Sequence, residues 1–255
     1  MSIEQLQRDG LAGPYDLADK SGLSEACKAA LELKALQRQM NKVAALTDKK
    51  EKVSSPLIDR HMDIPCFRDL YFDTRVQQVA SELLGTDLFL WRTNFFVKSE
   101  GVGENKWHHD RQFENGNAAI NIFDTSNHFT ILVALTDIDM NAGRIEYLRG
   151  SHLPIDGFDR DIPRHFLDAP EVVQDRITPL PLERGQFAIF HSGLLHRSLA
   201  FGEGEGRISL AARLARKGTE FPDYGAVNPA GGAQTEAEPR IYFRTSGVLP
   251  FNYTA

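Results

Sequence analysis

The chain changes character near residue 87, and this change restricts its fold more than any other feature of the sequence. Before it, alanine, leucine and charged residues recur at helical spacing, which predicts helices over about residues 21–46 and 73–84. After it, short segments rich in aromatic and β-branched residues alternate with turn-forming residues, which predicts a succession of strands. Helices followed by many short strands indicate a mainly β fold, either a barrel or a double sheet, with flanking helices.

The strand pattern also suggests how the chain is organised. Strands are predicted over about residues 88–97, 129–135, 144–148, 186–190, 196–200 and 207–214. We expect a single domain over residues 1–255, because all-β cores of this length commonly form one domain. Its expected parts are a helical part (1–86), a β core (87–217) and a C-terminal arm (218–255). The composition of the arm is compatible with either a wrapping segment or a lid.

Composition excludes several classes of function. The net charge is −6 and basic residues form no stripe, so we expect no nucleic-acid partner. The two cysteines, Cys27 and Cys66, do not indicate a disulfide framework. The N-terminal residues are polar and no apolar run reaches membrane-spanning length, so we expect a cytoplasmic protein without a membrane partner. No feature indicates an oligomeric state.

A His-x-Asp pair supplies two candidate metal ligands. His108 and Asp110 lie two residues apart, so on an extended chain they point to the same side and can bind one ion. His196 is the best candidate for a third ligand. Two imidazoles and one carboxylate form a facial triad with open coordination positions, which is typical of non-haem Fe(II) oxygenases. Because His-x-Asp pairs also occur in surface turns, the prediction depends on the motifs around this one.

An Arg-x-Ser pair follows on the next predicted strand. Arg207 and Ser209 share one face of that strand, while Ile208 and Leu210 on the other face are typical of a core. A guanidinium and a hydroxyl on one face are suited to bind a buried carboxylate. The alternative is an exposed strand arginine, which the apolar neighbours disfavour.

Taken in order, these motifs resemble the phytanoyl-CoA dioxygenase family of Fe(II)- and 2-oxoglutarate-dependent enzymes. The resemblance extends over nearly the whole chain, beginning at Arg8-Asp9-Gly10. Its other parts are the segment 83–91, His108-x-Asp110, the segment 141–152, His196-x-Ser198 and Arg207-x-Ser209. Arg149 stands where the family typically has proline.

The resemblance implies a double-stranded β-helix core, a cupin-like jelly roll, with the triad at the mouth of the barrel. It implies that the triad binds Fe(II) and that 2-oxoglutarate and O₂ are co-substrates. It assigns Arg207 to the distal carboxylate of 2-oxoglutarate, with hydroxyls from Ser209 and Thr130. Related halogenases lack the carboxylate ligand, so the presence of Asp110 favours oxygen chemistry over halogenation.

Other polar residues are candidates for substrate binding. Arg92 and Asn94 alternate on the strand that precedes the triad, and Arg92 is suited either to a substrate carboxylate or to an ion pair with an acidic neighbour. His109 is expected to point away from the ligand pair, as a polar residue that supports the site or faces substrate. Arg213 and Glu146 have the same two interpretations as Arg92.

The sequence therefore predicts an oxygenase that hydroxylates an unactivated C–H bond of a small molecule, releasing succinate and CO₂. An amino acid or a natural-product intermediate is the expected kind of substrate. Two alternatives stay open at this point: a desaturase or cyclase of the same family, and a β-helix protein that binds a small molecule without oxidising it.

Overall fold

A computed structural model describes seven stretches of the chain. These are residues 3–46, 56–110, 128–139, 143–159, 171–202, 206–216 and 249–250. Most of the predicted C-terminal arm lies outside them. So do Asn141 and Ala142, at the start of the segment 141–152, and residues 160–170.

The four α-helices of the described stretches lie before residue 87, as predicted, although strand β1 (Leu11–Asp16) separates the first helix from the others. They are α1 (Ile3–Asp9), α2 (Leu23–Leu46), α3 (Pro65–Tyr71) and α4 (Thr74–Leu84). Local signals set the ends of α4: the Asp73 side chain accepts hydrogen bonds from the backbone N–H groups of Arg75 and Val76, and Gly85 ends the helix with a φ of 93°. Among the helices in the described stretches, none has an apolar segment long enough to cross a membrane.

Within the described stretches, ten strands form two antiparallel sheets. They are β1 (Leu11–Asp16), β2 (Leu88–Lys98), β3 (Asn105–His108), β4 (His128–Ala134), β5 (Ile145–Leu148), β6 (Ile177–Leu180), β7 (Gln186–His191), β8 (His196–Ser198), β9 (Arg207–Arg216) and β10 (Leu249–Pro250). The larger sheet has the order β1-β7-β4-β9-β2-β10, and the smaller has the order β3-β8-β5-β6. The two sheets together form the predicted double-stranded β-helix.

Both faces of the larger sheet are buried, and successive side chains on each strand point alternately to one face and to the other. On β9, Ile208 and Leu210 face the helices and belong to a core with Phe67 and Val76. Ala211 faces the smaller sheet and belongs to a second core, formed with residues of both sheets including Leu132, Ile145, Tyr147, Leu180 and Phe190. Because side chains on a strand alternate, Arg207, Ser209 and Arg213 also face the space between the sheets.

The N-terminal segment contributes to the larger sheet as well as to the helical layer. Strand β1 lies within the segment expected to be helical and pairs antiparallel with β7. The sequence disfavours a strand here because Gly13 and Pro14 interrupt it. Pairing with the edge of β7 overrides this local preference.

Candidate active site

A cavity of about 310 Å³ lies between the two sheets. Its volume is at the small end of the range for sites that bind small molecules. Apolar side chains line its middle, and polar side chains lie toward both ends of β9. We call the group His108, Asp110, His196, Thr130 and Arg213 the triad end, and the group Lys98, Arg207 and Ser209 the Arg207 end.

The two predicted histidine ligands meet across the smaller sheet. His108 on β3 and His196 on β8 are register partners, and their ring centroids are 4.3 Å apart. His108 Nδ1 lies 2.7 Å from the Lys106 carbonyl oxygen, and His196 Nδ1 lies 2.9 Å from the Leu194 carbonyl oxygen. Since a carbonyl only accepts, each Nδ1 donates, and each neutral ring keeps an Nε2 lone pair for a metal.

Asp110 completes the cluster. Donor atoms of the three residues all lie within 4.8 Å of one another, and Asp110 Oδ1 is 3.8 Å from His196 Nε2. Arg213 Nη2 donates to Oδ1 over 2.6 Å, and the Thr130 hydroxyl donates to Oδ2 over 2.6 Å. Burial alone would raise the pKa of this carboxyl, but the Arg213 charge, His196, the Thr130 hydrogen bond and His108 together lower it. The cluster has the donor set and spacing that a divalent metal needs.

Arg207 and Ser209 lie at the other end of the cavity-facing side of β9. They are 4% and 0% exposed, so bulk water does not form hydrogen bonds with their polar groups. Arg207 Nη1 donates to the Gly143 carbonyl oxygen over 2.6 Å. Arg207 Nε and Ser209 Oγ are buried without a hydrogen-bond partner among the described residues. Burial lowers the pKa of Arg207 to about 10, so the guanidinium stays charged at neutral pH.

Lys98 is a second buried cation beside Arg207. The two residues are register partners on β2 and β9, and Lys98 is 4% exposed. Its Nζ donates to Ser198 Oγ over 2.9 Å and to the backbone carbonyl oxygens of Ser198 and Leu199. Burial and the Arg207 charge lower the pKa of Lys98 to about 8. Lys98 therefore joins the larger sheet to the end of β8, two residues beyond His196.

The remaining predicted substrate residues lie outside the cavity lining. Arg92 and Asn94 pair with Arg213 and Ala211 in the β2–β9 register, so they lie on the same face of the larger sheet as these two residues. His109 is buried at 1% exposure. None of the three is among the described residues that line the cavity. Their roles in substrate binding stay predictions, as does contact between Thr130 and the co-substrate.

Glu146 forms ion pairs instead of contacting the cavity. Its carboxylate accepts from Arg144 Nε over 2.7 Å and from Arg197 Nε over 2.8 Å. The Arg197 guanidinium lies 4.7 Å from the ring centroid of Trp107. Because Arg197 and Trp107 are neighbours of His196 and His108 in the chain, this network supports the strands that carry the two histidines.

The family model for phytanoyl-CoA dioxygenase (PhyH) matches residues 6–204, which is most of the chain. The chain belongs to the phytanoyl-CoA dioxygenase family. No curated protein matches it.

Solved structures similar to this PhyH-family chain include a non-heme monooxygenase and two enzymes from nogalamycin biosynthesis. A nickel complex of the non-heme monooxygenase ThoJ has a TM-score of 0.61 at 21% identity, over 84% of this chain and 76% of that one. The epimerase SnoN in complex with Fe³⁺, alpha ketoglutarate and nogalamycin RO has a TM-score of 0.61 at 21% identity, over 93% and 92%. The alpha ketoglutarate-dependent carbocyclase SnoK has a TM-score of 0.61 at 18% identity, over 84% and 83%. At these identities the likeness establishes the shared fold.

Sequence reasoning missed Lys98 and did not assign Arg213. The signal for Arg213 is present, since the alternation that places Arg207 and Ser209 on one face continues through Ala211 to Arg213. Lys98 lies one residue beyond the predicted strand that contains Arg92 and Asn94, and alternation places it on their face. Its neighbour Arg207 lies more than a hundred residues away in the chain, so only the pairing of β2 with β9 reveals the contact.

Proposed function

We propose that this PhyH-family chain is an Fe(II)- and 2-oxoglutarate-dependent oxygenase that hydroxylates a C–H bond of a small molecule. In this proposal His108, Asp110 and His196 hold the metal. Arg207 and Ser209 hold the distal carboxylate of 2-oxoglutarate. Succinate and CO₂ are the co-products.

One observation carries the proposal: a metal-type triad and an uncompensated anion site lie in the same cavity. The triad offers two imidazole nitrogens and a carboxylate, all within 4.8 Å of one another. At the Arg207 end, buried Arg207 Nε and Ser209 Oγ have no partner among the described residues. Since buried polar groups are nearly always paired, these atoms are suited to a ligand carboxylate. A cavity that offers a metal site and a carboxylate site fits a 2-oxo diacid.

The chain's own residues would perform three tasks. The backbone carbonyls of Lys106 and Leu194 orient the two imidazoles, and Thr130 with Arg213 orients the Asp110 carboxylate. The middle of the cavity is lined by apolar side chains, including Leu132, Tyr147, Leu180, Phe190 and Leu194. These exclude water and strengthen the polar contacts at both ends. When bound, the metal and 2-oxoglutarate supply the activation of O₂.

The direct test is to add Fe(II), 2-oxoglutarate and O₂ to the purified protein and to measure succinate. We expect slow succinate release without a second substrate and faster release with a substrate that fits the cavity. Arg207→Met should abolish the slow release at low 2-oxoglutarate and recover part of it at high concentration. A protein that binds small molecules but releases no succinate with Fe(II) would support the alternative of a non-catalytic binding protein.

Hydroxylation must also be distinguished from the reactions of the similar structures, which include an epimerase and a carbocyclase. Turnover in isotopically labelled O₂ separates them, because only hydroxylation leaves a labelled oxygen atom in the product. We expect one labelled atom per product molecule. A product that is desaturated, cyclised or epimerised without label would replace hydroxylation and leave the metal and co-substrate assignments intact.

Asp110 bears on the choice between hydroxylation and halogenation. Its two oxygens are both held by protein donors, so the carboxylate is fixed beside the two histidines. A fixed carboxylate ligand occupies the position that a halide would need. We therefore expect no chlorinated product from the wild-type protein in abundant chloride. Chlorinated product, detected by mass spectrometry, would show that Asp110 does not bind the metal.

A further inference from the structure

The carboxylate of Asp110 is bound by a cation that belongs to the protein itself. Arg213 donates to Oδ1, and Oδ1 is the same oxygen that lies 3.8 Å from His196 Nε2. A metal held by Asp110 and His196 would therefore share this oxygen, or at least this carboxylate, with a guanidinium. Arg213 lines the cavity, and its side chain is 13% exposed, so solvent screens its charge weakly.

We infer that Arg213 makes metal binding and 2-oxoglutarate binding cooperative. Its charge weakens the binding of a divalent ion to the empty triad, and the anionic co-substrate relieves this repulsion when it enters the cavity. The inference rests on the proposed function, because it requires a divalent ion on Asp110 and an anion beside it.

Arg213 has two opposite effects on a metal at the triad. Its hydrogen bond orients the carboxylate, which favours the metal, while its charge repels the metal. The orienting effect is shared, because Thr130 holds Oδ2 over 2.6 Å and the Asp110 backbone N–H donates to the Ser192 carbonyl oxygen over 2.9 Å. The charge comes from Arg213 itself, and its repulsion scales with the double charge of the ion. We therefore expect repulsion to outweigh the loss of one orienting bond.

The co-substrate reverses this balance because it brings negative charge to the same place. In the metal-free protein the Asp110 and Arg213 charges offset each other, so a divalent ion meets little net attraction from the pair. A 2-oxo acid carboxylate beside the triad attracts both the ion and the guanidinium. Each ligand then raises the affinity of the other by the same factor, as thermodynamic linkage requires.

The experiment measures Mn(II) affinity by electron paramagnetic resonance without O₂, with and without saturating 2-oxoglutarate, so that no turnover is involved. Arg213→Gln keeps amide donors near Asp110 but removes the charge, and Arg213→Met is a second neutral variant. Arg213→Lys is the matched control that keeps the charge. We expect the neutral variants to bind Mn(II) alone ~tenfold or more tightly than wild type, a typical size for coupling between sites. With 2-oxoglutarate the difference should largely disappear, and Arg213→Lys should resemble wild type.

Thr130→Val separates orientation from charge. It removes the hydroxyl that holds Oδ2 and that accepts from Arg213 Nη1 over 3.1 Å. The Arg213 charge and its bond to Oδ1 remain, so the variant should weaken Mn(II) binding and leave the coupling factor unchanged. Neutral Arg213 variants that bind Mn(II) no better than wild type would overturn the inference, and so would a Thr130→Val variant that loses the coupling. If calorimetry shows that the Mn(II) protein does not bind 2-oxoglutarate at all, the proposed function itself fails. If 2-oxoglutarate binds but wild type shows no coupling, only the role of Arg213 fails.

Discussion

The two ends of the cavity differ in how the protein compensates their charges. At the triad end, Asp110 accepts from Arg213 and Thr130, and both histidine Nδ1 atoms are bonded to backbone carbonyls. At the Arg207 end two cations are buried, and in the described part of the chain no carboxylate forms an ion pair with Lys98 or Arg207.

The two ends therefore represent two kinds of binding site, one whose side chains are already held by protein partners and one that holds buried positive charge. The triad end is organised before any ligand arrives, because its own partners fix the carboxylate and both rings. The Arg207 end keeps positive charge in a buried place, which is unfavourable until an anion enters. Lowered pKa values at Lys98, to about 8, and at Arg207, to about 10, reflect that unfavourable burial. Ligand binding should therefore depend mainly on charge at the Arg207 end, and at the triad end on the fixed geometry together with the Arg213 charge.

The largest effect is expected from the triad. His108→Ala or His196→Ala should abolish Fe(II) binding and turnover, because two remaining ligands hold a labile divalent ion poorly. Binding of Co(II), followed by its visible absorption, measures this without turnover. His109→Asn is the matched control, since His109 lies beside His108 in the chain but not in the triad. A variant with Ala at either position that binds Co(II) like wild type would refute the metal assignment.

The second largest effect is expected from a substitution of Arg207. Arg207→Met removes the fork that we assign to the co-substrate carboxylate, and loss of one partner of a buried charge pair costs about 2–5 kcal/mol. The KM for 2-oxoglutarate should therefore rise by ~30-fold or more, while Co(II) binding stays close to wild type. Arg207→Lys keeps the charge without the two-pronged guanidinium, so its KM should lie between those of wild type and Arg207→Met. An unchanged KM in Arg207→Met would mean that the co-substrate is anchored elsewhere.

Parts of the fold that depend on local signals could be predicted from sequence. Asp73 and Gly85 mark the ends of α4, and the aromatic and β-branched run of β2 is recognisable by itself. The elements that sequence reasoning missed are short or contain strand-breaking residues. Strand β6 spans Ile177–Leu180 and contains Pro179, and β3 spans only Asn105–His108. Such strands form because partner strands supply their hydrogen bonds, which no local pattern shows.

The candidate site divides in the same way. The triad and Arg207 could be proposed because the His108-x-Asp110, His196-x-Ser198 and Arg207-x-Ser209 spacings are recognisable in the sequence. The partners of these residues could not, because they depend on register between distant strands. The Lys98–Arg207 pair requires β2 beside β9, and the Arg213–Asp110 contact joins residues 103 positions apart in sequence. Alternation indicates the face on which a side chain lies, but not what it contacts there.

Lys98 should give a smaller effect that depends on pH. Its pKa of about 8 means that the charge beside Arg207 is present at neutral pH and is lost as pH rises through that value. The KM for 2-oxoglutarate should therefore increase by ~tenfold above about pH 8, since a neighbouring carboxylate favours the charged amine. Lys98→Met should have a raised KM at neutral pH and no such increase. A wild-type KM that is flat across this range would remove Lys98 from the anion site.

The smallest effect is expected at a buried histidine that belongs to neither end of the cavity. His191 stacks on His152 with ring centroids 4.6 Å apart, and its backbone N–H donates to the Gly10 carbonyl oxygen over 3.0 Å. Burial, with the charges of His152 and Arg216, lowers the pKa of His191 from 6.5 to about 3. Because its ring stays neutral and stacks on His152, His191 is suited to packing in the core.

This pKa gives a signed prediction for stability. Between pH 6.5 and about 3 the unfolded chain binds a proton at His191 and the folded chain does not, so acid favours unfolding in that window. The contribution is intact above pH 6.5 and declines below it, by at most about 1.4 kcal/mol per pH unit. Urea unfolding at several pH values measures the slope. His191→Phe keeps an aromatic ring in the stack without a titrating group, so its unfolding free energy should fall less steeply with acid than that of wild type. Equal slopes in the two proteins would mean that a group other than His191 causes the loss of stability in acid. His191 would then not serve as an example of a buried packing histidine that differs from the two cavity-facing histidines.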